Sequence, residues 1–243
     1  MLRRKYKKTD GLRGKTIRDK LSEMNAEGTG MTPRLLIWDW NGTILDDTDL
    51  CVTIENELLR ERGMPTVTKA WYLDNFAFPV REYYERMGYT FETESFETVA
   101  GIFMERYRTR FACCSLREGV TNVLNRAEER GIAQTLLSVT QQDDLIEQTR
   151  RLGVAPLFSK ILGQDDISCR SKVDRAKTYM AGLGIEPKDA LFIGDTDHDA
   201  EAANAVGCPC ALLCGGHQSK KVLLRCGVPV YDSAEKLMKE IFD

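Results

Sequence analysis

Residues Arg34–Thr43 read RLLIWDWNGT and decide the fold. Arg34–Trp40 is a near-continuous apolar run of strand length, the pattern of a parallel strand covered on both faces. Asp39 stands at its end, and Asn41-Gly42-Thr43 follows. Gly42 permits a tight turn there, so Asp39 and the backbone just beyond it are expected at the strand tip, facing solvent. Open parallel sheets bind ligands outside the carboxyl ends of their strands. One decapeptide therefore points to both an architecture and a place for chemistry.

Working outward, similar runs occur at Ile132–Val139, Ala190–Gly194 and Cys210–Cys214, with a weaker one at Val228–Tyr231. Between them lie helical patterns: Val120, Leu124 and Ala127 share one face, as do Leu145, Thr149 and Leu152 after possible caps at Asp143 and Asp144, and Val173, Ala176, Met180 and Leu183. Strands alternating with helices predict an α/β protein built on a doubly wound parallel sheet. The stretch 48–117 differs. Leu50, Ile54 and Leu58 recur at helical spacing, as do Val99, Phe103 and Tyr107, with aromatics between them and no convincing strand. That is too much helix for a crossover and predicts an inserted α-helical cap domain over 48–117, leaving 31–47 and 118–243 as the sheet core. Pro79 in FAFPVREYY is expected to break the helical pattern.

The 243 residues carry 34 Lys and Arg against 37 Asp and Glu, a net charge of −3. Residues 1–20 alone contribute +7, which leaves −10 for the rest. An acidic body is a poor match to a nucleic-acid groove, and no apolar run is long enough to cross a bilayer. Residues 1–30 read as a basic, disordered tail, dispensable because it offers no apolar face to bury. With no secretory h-region, the eight cysteines are expected to be reduced thiols and the protein cytoplasmic. Cys208, Cys210, Cys214 and Cys226 are not spaced in zinc-binding pairs and read as small buried hydrophobes.

Four positions combine reactive side chains with the ends of apolar elements: Asp39, Ser138 at the end of the second long run, Lys172 at a helix start, and Gly194-Asp195-Thr196-Asp197-His198-Asp199 after another strand. A strand-end serine or helix-start lysine alone is ordinarily solvated or capping. Asp39 and Asp195 are harder to dismiss, because each places a carboxylate at the functional edge of a buried sheet. Two carboxylates and a backbone carbonyl converging there suit Mg²⁺, a hard cation that keeps waters a phosphoryl oxygen can replace.

Together these residues resemble the haloacid dehalogenase superfamily, whose phosphatases carry four such motifs in this order. DWNGT is similar to its nucleophile motif, Ser138 to the second motif, Lys172 to the third and GDTDHD to its metal motif, with 34 positions from Ser138 to Lys172 and 23 from there to Asp195. The likeness extends over residues 34–231, and the helical cap between the first two motifs resembles the phosphoglycolate phosphatase and β-phosphoglucomutase group. The resemblance implies an Asp39 nucleophile that forms an aspartyl-phosphate. It also implies Mg²⁺ on Asp39, the Asn41 carbonyl and Asp195 with Asp199 in support, and Ser138 and Lys172 on the transferring group. A small phosphorylated metabolite is the implied partner, with phosphoglycolate-like acids first, and the chain is expected to be a monomer or homodimer. Arg81, in the segment similar to the phosphoglycolate phosphatases' specificity region, is the expected clamp for a substrate carboxylate, with Arg60, Arg62 and Arg86 as competitors.

One position departs from the family pattern. The usual second aspartate, which protonates the leaving alkoxide and then activates water, is here Asn41, whose amide cannot transfer a proton near neutral pH. Three outcomes follow: a phosphatase restricted to good leaving groups or using another acid such as His198, chemistry like that of phosphonoacetaldehyde hydrolases with Lys69 as the Schiff-base candidate, or a module that binds phosphorylated ligands with little turnover.

Overall fold

The computed structural model describes residues 33–164 and 172–243. The basic tail, the cytoplasmic role inferred with it, and Cys169 fall outside what those residues can address.

The sheet has six parallel strands in the order β5-β4-β1-β6-β7-β8. They are β1 (Leu35–Trp38), β4 (Ala133–Gln141), β5 (Lys160–Gln164), β6 (Ala190–Gly194), β7 (Cys210–Leu213) and β8 (Val230–Tyr231). Side chains alternate faces along a strand, and both faces here are buried. Leu36, Trp38, Leu136, Leu191 and Leu213 enter one core, while Leu35, Ile37, Leu137, Phe192 and Leu212 enter the other. That is why the runs read as continuous apolar stretches. Sequential order breaks on either side of β1, which opens a crevice at its carboxyl end.

β2 (Leu45–Asp46) and β3 (Ser115–Leu116) pair antiparallel beside the sheet. Between them lie α1 (Thr48–Glu61), α2 (Lys69–Asn75), α3 (Val80–Arg86) and α4 (Phe96–Arg110), so both chain crossings into the helical insert run through this two-stranded ribbon. β3 is the strand the aromatic-rich stretch was not expected to hold; two residues are too few to show a period. Pro79 stands at the N-cap of α3 and separates it from α2, as a residue lacking an N–H donor should. Leu50, Ile54 and Leu58 of α1 pack with Val99 and Tyr107 of α4, and these merge with one sheet face into a single apolar cluster.

The remaining helices cover the sheet: α5 (Val120–Glu129), α6 (Gln142–Arg151), α7 (Lys172–Leu183), α8 (Asp197–Val206), α9 (Lys220–Leu223) and α10 (Ala234–Phe242). The cap of α6 is Gln141, whose side chain accepts from the N–H groups of Asp143 and Asp144. The two aspartates expected as caps lie instead in the first turn, where their charge suits the helix dipole. The seven described cysteines form no disulfide with one another, and Cys208, Cys210, Cys214 and Cys226 form no metal-ligand cluster among the described residues. No described helix is long and apolar enough to cross a membrane.

Candidate active site

β1 ends in a turn whose geometry is fixed by one carbonyl. The N–H groups of Thr43, Ile44 and Leu45 all donate to Trp40 O at 2.9–3.2 Å. Gly42 holds φ +70°, and a Cβ there would stand 2.3 Å from Asp195 Oδ2 and 2.6 Å from the His217 ring. Only glycine satisfies both the backbone angle and the space. Arg117 ties this turn to the loop after β7, its guanidinium donating to Gly42 O at 2.6 Å and to Cys214 O.

The turn, the start of α7 and the start of α8 bring four charged residues together, all buried: Asp39, Lys172, Asp195 and Asp199. Lys172 Nζ donates to Asp39 Oδ1, and to Asp199 Oδ1 at 2.5 Å. Asp199 Oδ2 accepts from the backbone of Asp195 and Thr196 and from Thr196 Oγ1 at 2.7–3.1 Å. Its oxygens are thus committed to placing Lys172 and the Asp195 backbone. Asp195 Oδ1 accepts from Thr43 Oγ1 and Oδ2 from His217 N, both at 2.6 Å.

The electrostatics follow from burying three carboxylates around one ammonium. Burial pushes the Asp39 carboxyl up to about 7, against the pull of Lys172 and with the help of Asp199 and Asp195. Asp195 is also raised, by burial first, while His217 opposes and Asp199 adds to the rise. For Asp199 burial is overcome by Lys172 and the Thr196 hydrogen bonds, which hold it low. Lys172 is raised, because Asp199 and Asp39 outweigh its own burial. Carboxylate oxygens of Asp39, Asp195 and Asp199 lie within 4.8 Å of one another. A dense, under-neutralised set of hard oxygen donors fits a divalent cation such as Mg²⁺.

Ser138 lies inside β4, not at its end, because that strand continues to Gln141. It is buried, two residues beyond Leu136, which pairs with Trp38. Its hydroxyl and Thr140 bond each other at 3.1 Å, and Val139 and Thr140 face the cavity beside Asp39. Asn41 lines the cavity, but its amide is already engaged. Its Nδ2 donates to Asp47 Oδ2 at 2.8 Å and to Tyr107 Oη at 2.9 Å, and its Oδ1 accepts from Thr140 at 2.6 Å. Arg81 stays out of the cavity. It pairs with Glu85 at 3.3 Å and lies 4.9 Å over the Phe91 ring. Arg62 pairs with Glu94, Arg86 bonds Asn75 O, and Lys69 pairs with Asp49 at 2.6 Å on an exposed surface.

His198 does reach the cavity, its ring tilted against Phe78 with the centroids 4.5 Å apart. Burial, seconded by Lys172, lowers its pKa and keeps the ring neutral at neutral pH. Several residues gave no sequence signal as a group. His217, buried, bonds Asp47 Oδ1 at 3.1 Å and Tyr72 Oη at 2.7 Å. Its pKa rises to about 9 because Asp47 overcomes the cost of burying the charge. Asp47 in turn is held low, despite burial, by His217, Asn41 and Tyr107. His217 follows β7 as Asp195 follows β6, so the strand-end rule that found Asp195 applies to it as well.

These residues open into one cavity of about 480 Å³ that runs from Asp39 and Lys172 into the helical insert.

The haloacid dehalogenase-like hydrolase family model matches residues 36–213. Phosphoglycolate phosphatase 1 of Pseudomonas aeruginosa is 25% identical over 217 residues, covering 85% of this chain and 76% of that protein. A phosphoglycolate phosphatase of Rhodobacter capsulatus is 24% identical over 187 residues, covering 75% and 85%. Among solved structures, a haloacid dehalogenase-like family hydrolase from Streptococcus pneumoniae superposes with a TM-score of 0.72 at 14% identity, over 86% of this chain and 97% of its own. Protein Tyrosine Kinase A of Mycobacterium tuberculosis does so at 0.73 and 20%, over 88% and 100%. One fold thus carries more than one named activity, and the site must decide between them. With the family model spanning most of the chain and the strand-end carboxylates gathered around Lys172, this protein belongs to the haloacid dehalogenase-like hydrolases.

Proposed function

We propose that the chain is a Mg²⁺-dependent hydrolase of a small phosphomonoester, acting through an aspartyl-phosphate on Asp39. The observation that carries this reading is Lys172, buried and bonded to both Asp39 and Asp199, with Asp195 within ligand distance. Relatives named phosphoglycolate phosphatase, at about a quarter identity, agree with the reaction class.

Asp39 is the nucleophile: its carboxylate attacks phosphorus, the P–O bond to the alcohol breaks, and the electron pair leaves with the alcohol oxygen. A dianionic phosphate repels a carboxylate, and the Lys172 ammonium offsets that repulsion while fixing the Asp39 rotamer. A bound Mg²⁺, held by Asp39, the Asn41 carbonyl and Asp195, supplies further charge neutralisation at the transferring phosphoryl group. Asp199 keeps Lys172 and Asp195 in place. Thr140, with Ser138 behind it, lines the phosphoryl end. Water attack on the aspartyl-phosphate then releases phosphate and regenerates Asp39.

The test is phosphate release from a panel of esters with and without Mg²⁺, for the natural protein and Asp39→Asn. Metal-dependent release that Asp39→Asn abolishes is the expected result. A second reading, a binding module with little turnover, draws on Asn41: its amide is fully engaged and transfers no proton. Tight phosphate binding with no release from any ester would favour it. Lys69, exposed and paired with Asp49, does not support the phosphonoacetaldehyde-hydrolase alternative.

A further inference from the structure

We infer that the alcohol this site releases is a bulky, uncharged aromatic one, so that the substrate class is aryl phosphates, not phosphorylated two-carbon acids. The inference rests on the hydrolase reading above and concerns only what occupies the cap half of the cavity.

Two independent features converge on it. The first is the wall. The cap side of the cavity is lined by Val80, Tyr84, Phe96, Ala100, Phe103 and Met104, together with Phe76 and Phe78. About 480 Å³ lies within the range of small-molecule sites, roughly 300–1,000 Å³. A ring-sized group fills such a wall with dispersion contacts and offset or edge-on ring packing.

A glycolate carboxylate would find no uncommitted cation there, which is strongly unfavourable: His217, which also lines the cavity, spends both ring nitrogens on Asp47 Oδ1 and Tyr72 Oη. The cap cation that does line the cavity, Arg108, is bonded to Asp144 Oδ2 at 2.8 Å and half-exposed at the rim. Arg81 is turned to Glu85 and the Phe91 ring. Glu55, which also lines the cavity, adds no cation either. Its carboxyl is pushed up to about 8 by burial, is neutral at pH 7, and accepts a hydrogen bond from Tyr83.

The second feature is the leaving group. Asn41 spends its amide on Asp47, Tyr107 and Thr140 and delivers no proton to the departing oxygen. An alcohol that leaves as a stable anion needs none, and a phenol does so far more readily than an alkyl alcohol. Wall and missing acid thus select the same chemistry.

The experiment separates cavity recognition from leaving-group effects by using ligands that cannot be cleaved. Binding of benzylphosphonate and of phosphonoacetate to the Mg²⁺-loaded protein is measured by calorimetry. Benzylphosphonate is expected to bind at least about tenfold more tightly, the effect of burying one phenyl-sized group. Ala100→Trp, which fills the wall, should erase that preference. Equal affinities, tighter phosphonoacetate, or a preference that survives Ala100→Trp would overturn the inference. In parallel, phenyl phosphate, acetyl phosphate and 2-phosphoglycolate are assayed for turnover. If 2-phosphoglycolate is the best cleaved, the aryl assignment fails while the hydrolase reading stands. If none is cleaved but benzylphosphonate binds selectively, the hydrolase reading fails and the recognition assignment stands.

Discussion

Asn41 Nδ2 donates to Asp47 Oδ2 at 2.8 Å, and Tyr107 Oη closes the triangle by donating to the same oxygen at 2.8 Å. The residue that replaces the family's usual acid is therefore a fastener between the nucleophile turn and α4 of the cap. Replacing it with a carboxylate would set two acids against each other in a buried site, and one of them would hold a proton.

Asn41→Asp should consequently do two things. It restores a proton donor at the leaving oxygen, so alkyl-ester turnover should rise by up to about 10²-fold, with aryl-ester turnover changing least. It also removes both N–H donors to Asp47 and Tyr107, so the melting temperature should fall, more at pH 8 than at pH 5, where the second carboxyl is protonated. The ratio of alkyl to aryl turnover in both proteins is the measurement. An unchanged ratio means that another group supplies the proton.

Divalent metal should stabilise the folded chain, because the Asp39–Asp195–Asp199 cluster is assembled only on folding. At about a hundred times its dissociation constant, Mg²⁺ should add about 2.7 kcal/mol. Thermal melts with and without Mg²⁺ should show the shift for the natural protein and lose it for Asp195→Asn. An equal shift in both would place the ion elsewhere.

Lys172→Met would leave Asp39 and Asp199 buried without their cation. Losing one partner of a buried pair costs about 3–5 kcal/mol. The carboxyls of the variant would hold protons that the unfolded chain releases above pH 4, so its stability should fall as pH rises. Chemical denaturation at pH 5 and pH 8 reads this: a deficit that stays constant or shrinks at pH 8 contradicts the electrostatic role.

Glu55 applies the same linkage to the natural protein. Its folded pKa, about 8, lies above the unfolded value, so between pH 4.5 and 8 the folded state holds a proton that the unfolded state has lost, and stability declines across that window. Glu55→Gln keeps an oxygen to accept from Tyr83 and removes the penalty. Its melting temperature should match the natural protein's at pH 4.5 and exceed it at pH 8. Equal melting at both values would mean that Glu55 stays ionised in the folded protein.

The sequence by itself determined the α/β class, five of the six sheet strands, and the two carboxylates at strand tips, Asp39 and Asp195. Those signals are local. A strand buried on both faces must be apolar at every position, and a charged residue that ends it has nowhere to sit but the open edge of the sheet. Where the local signal is thin, it failed. Lys160–Gln164 is a half-buried edge strand beginning with a lysine, and Leu45–Asp46 with Ser115–Leu116 is too short to show a period.

Only the tertiary structure decided who meets whom. Lys172 finds Asp39 across 133 residues, and His217 finds Asp47 across 170. Neither pairing has a pattern in the chain, because each depends on loops from different strands converging at one end of the sheet. Arg81 shows the same limit from the other side. Motif position placed it in the cap, but the packing of α3 turned it onto Glu85 and the Phe91 ring, and a wall of apolar side chains was left lining the cap side of the cavity. Side-chain direction is set by helix phase and by the neighbours that fill the remaining space, and those neighbours are known only once the chain has folded.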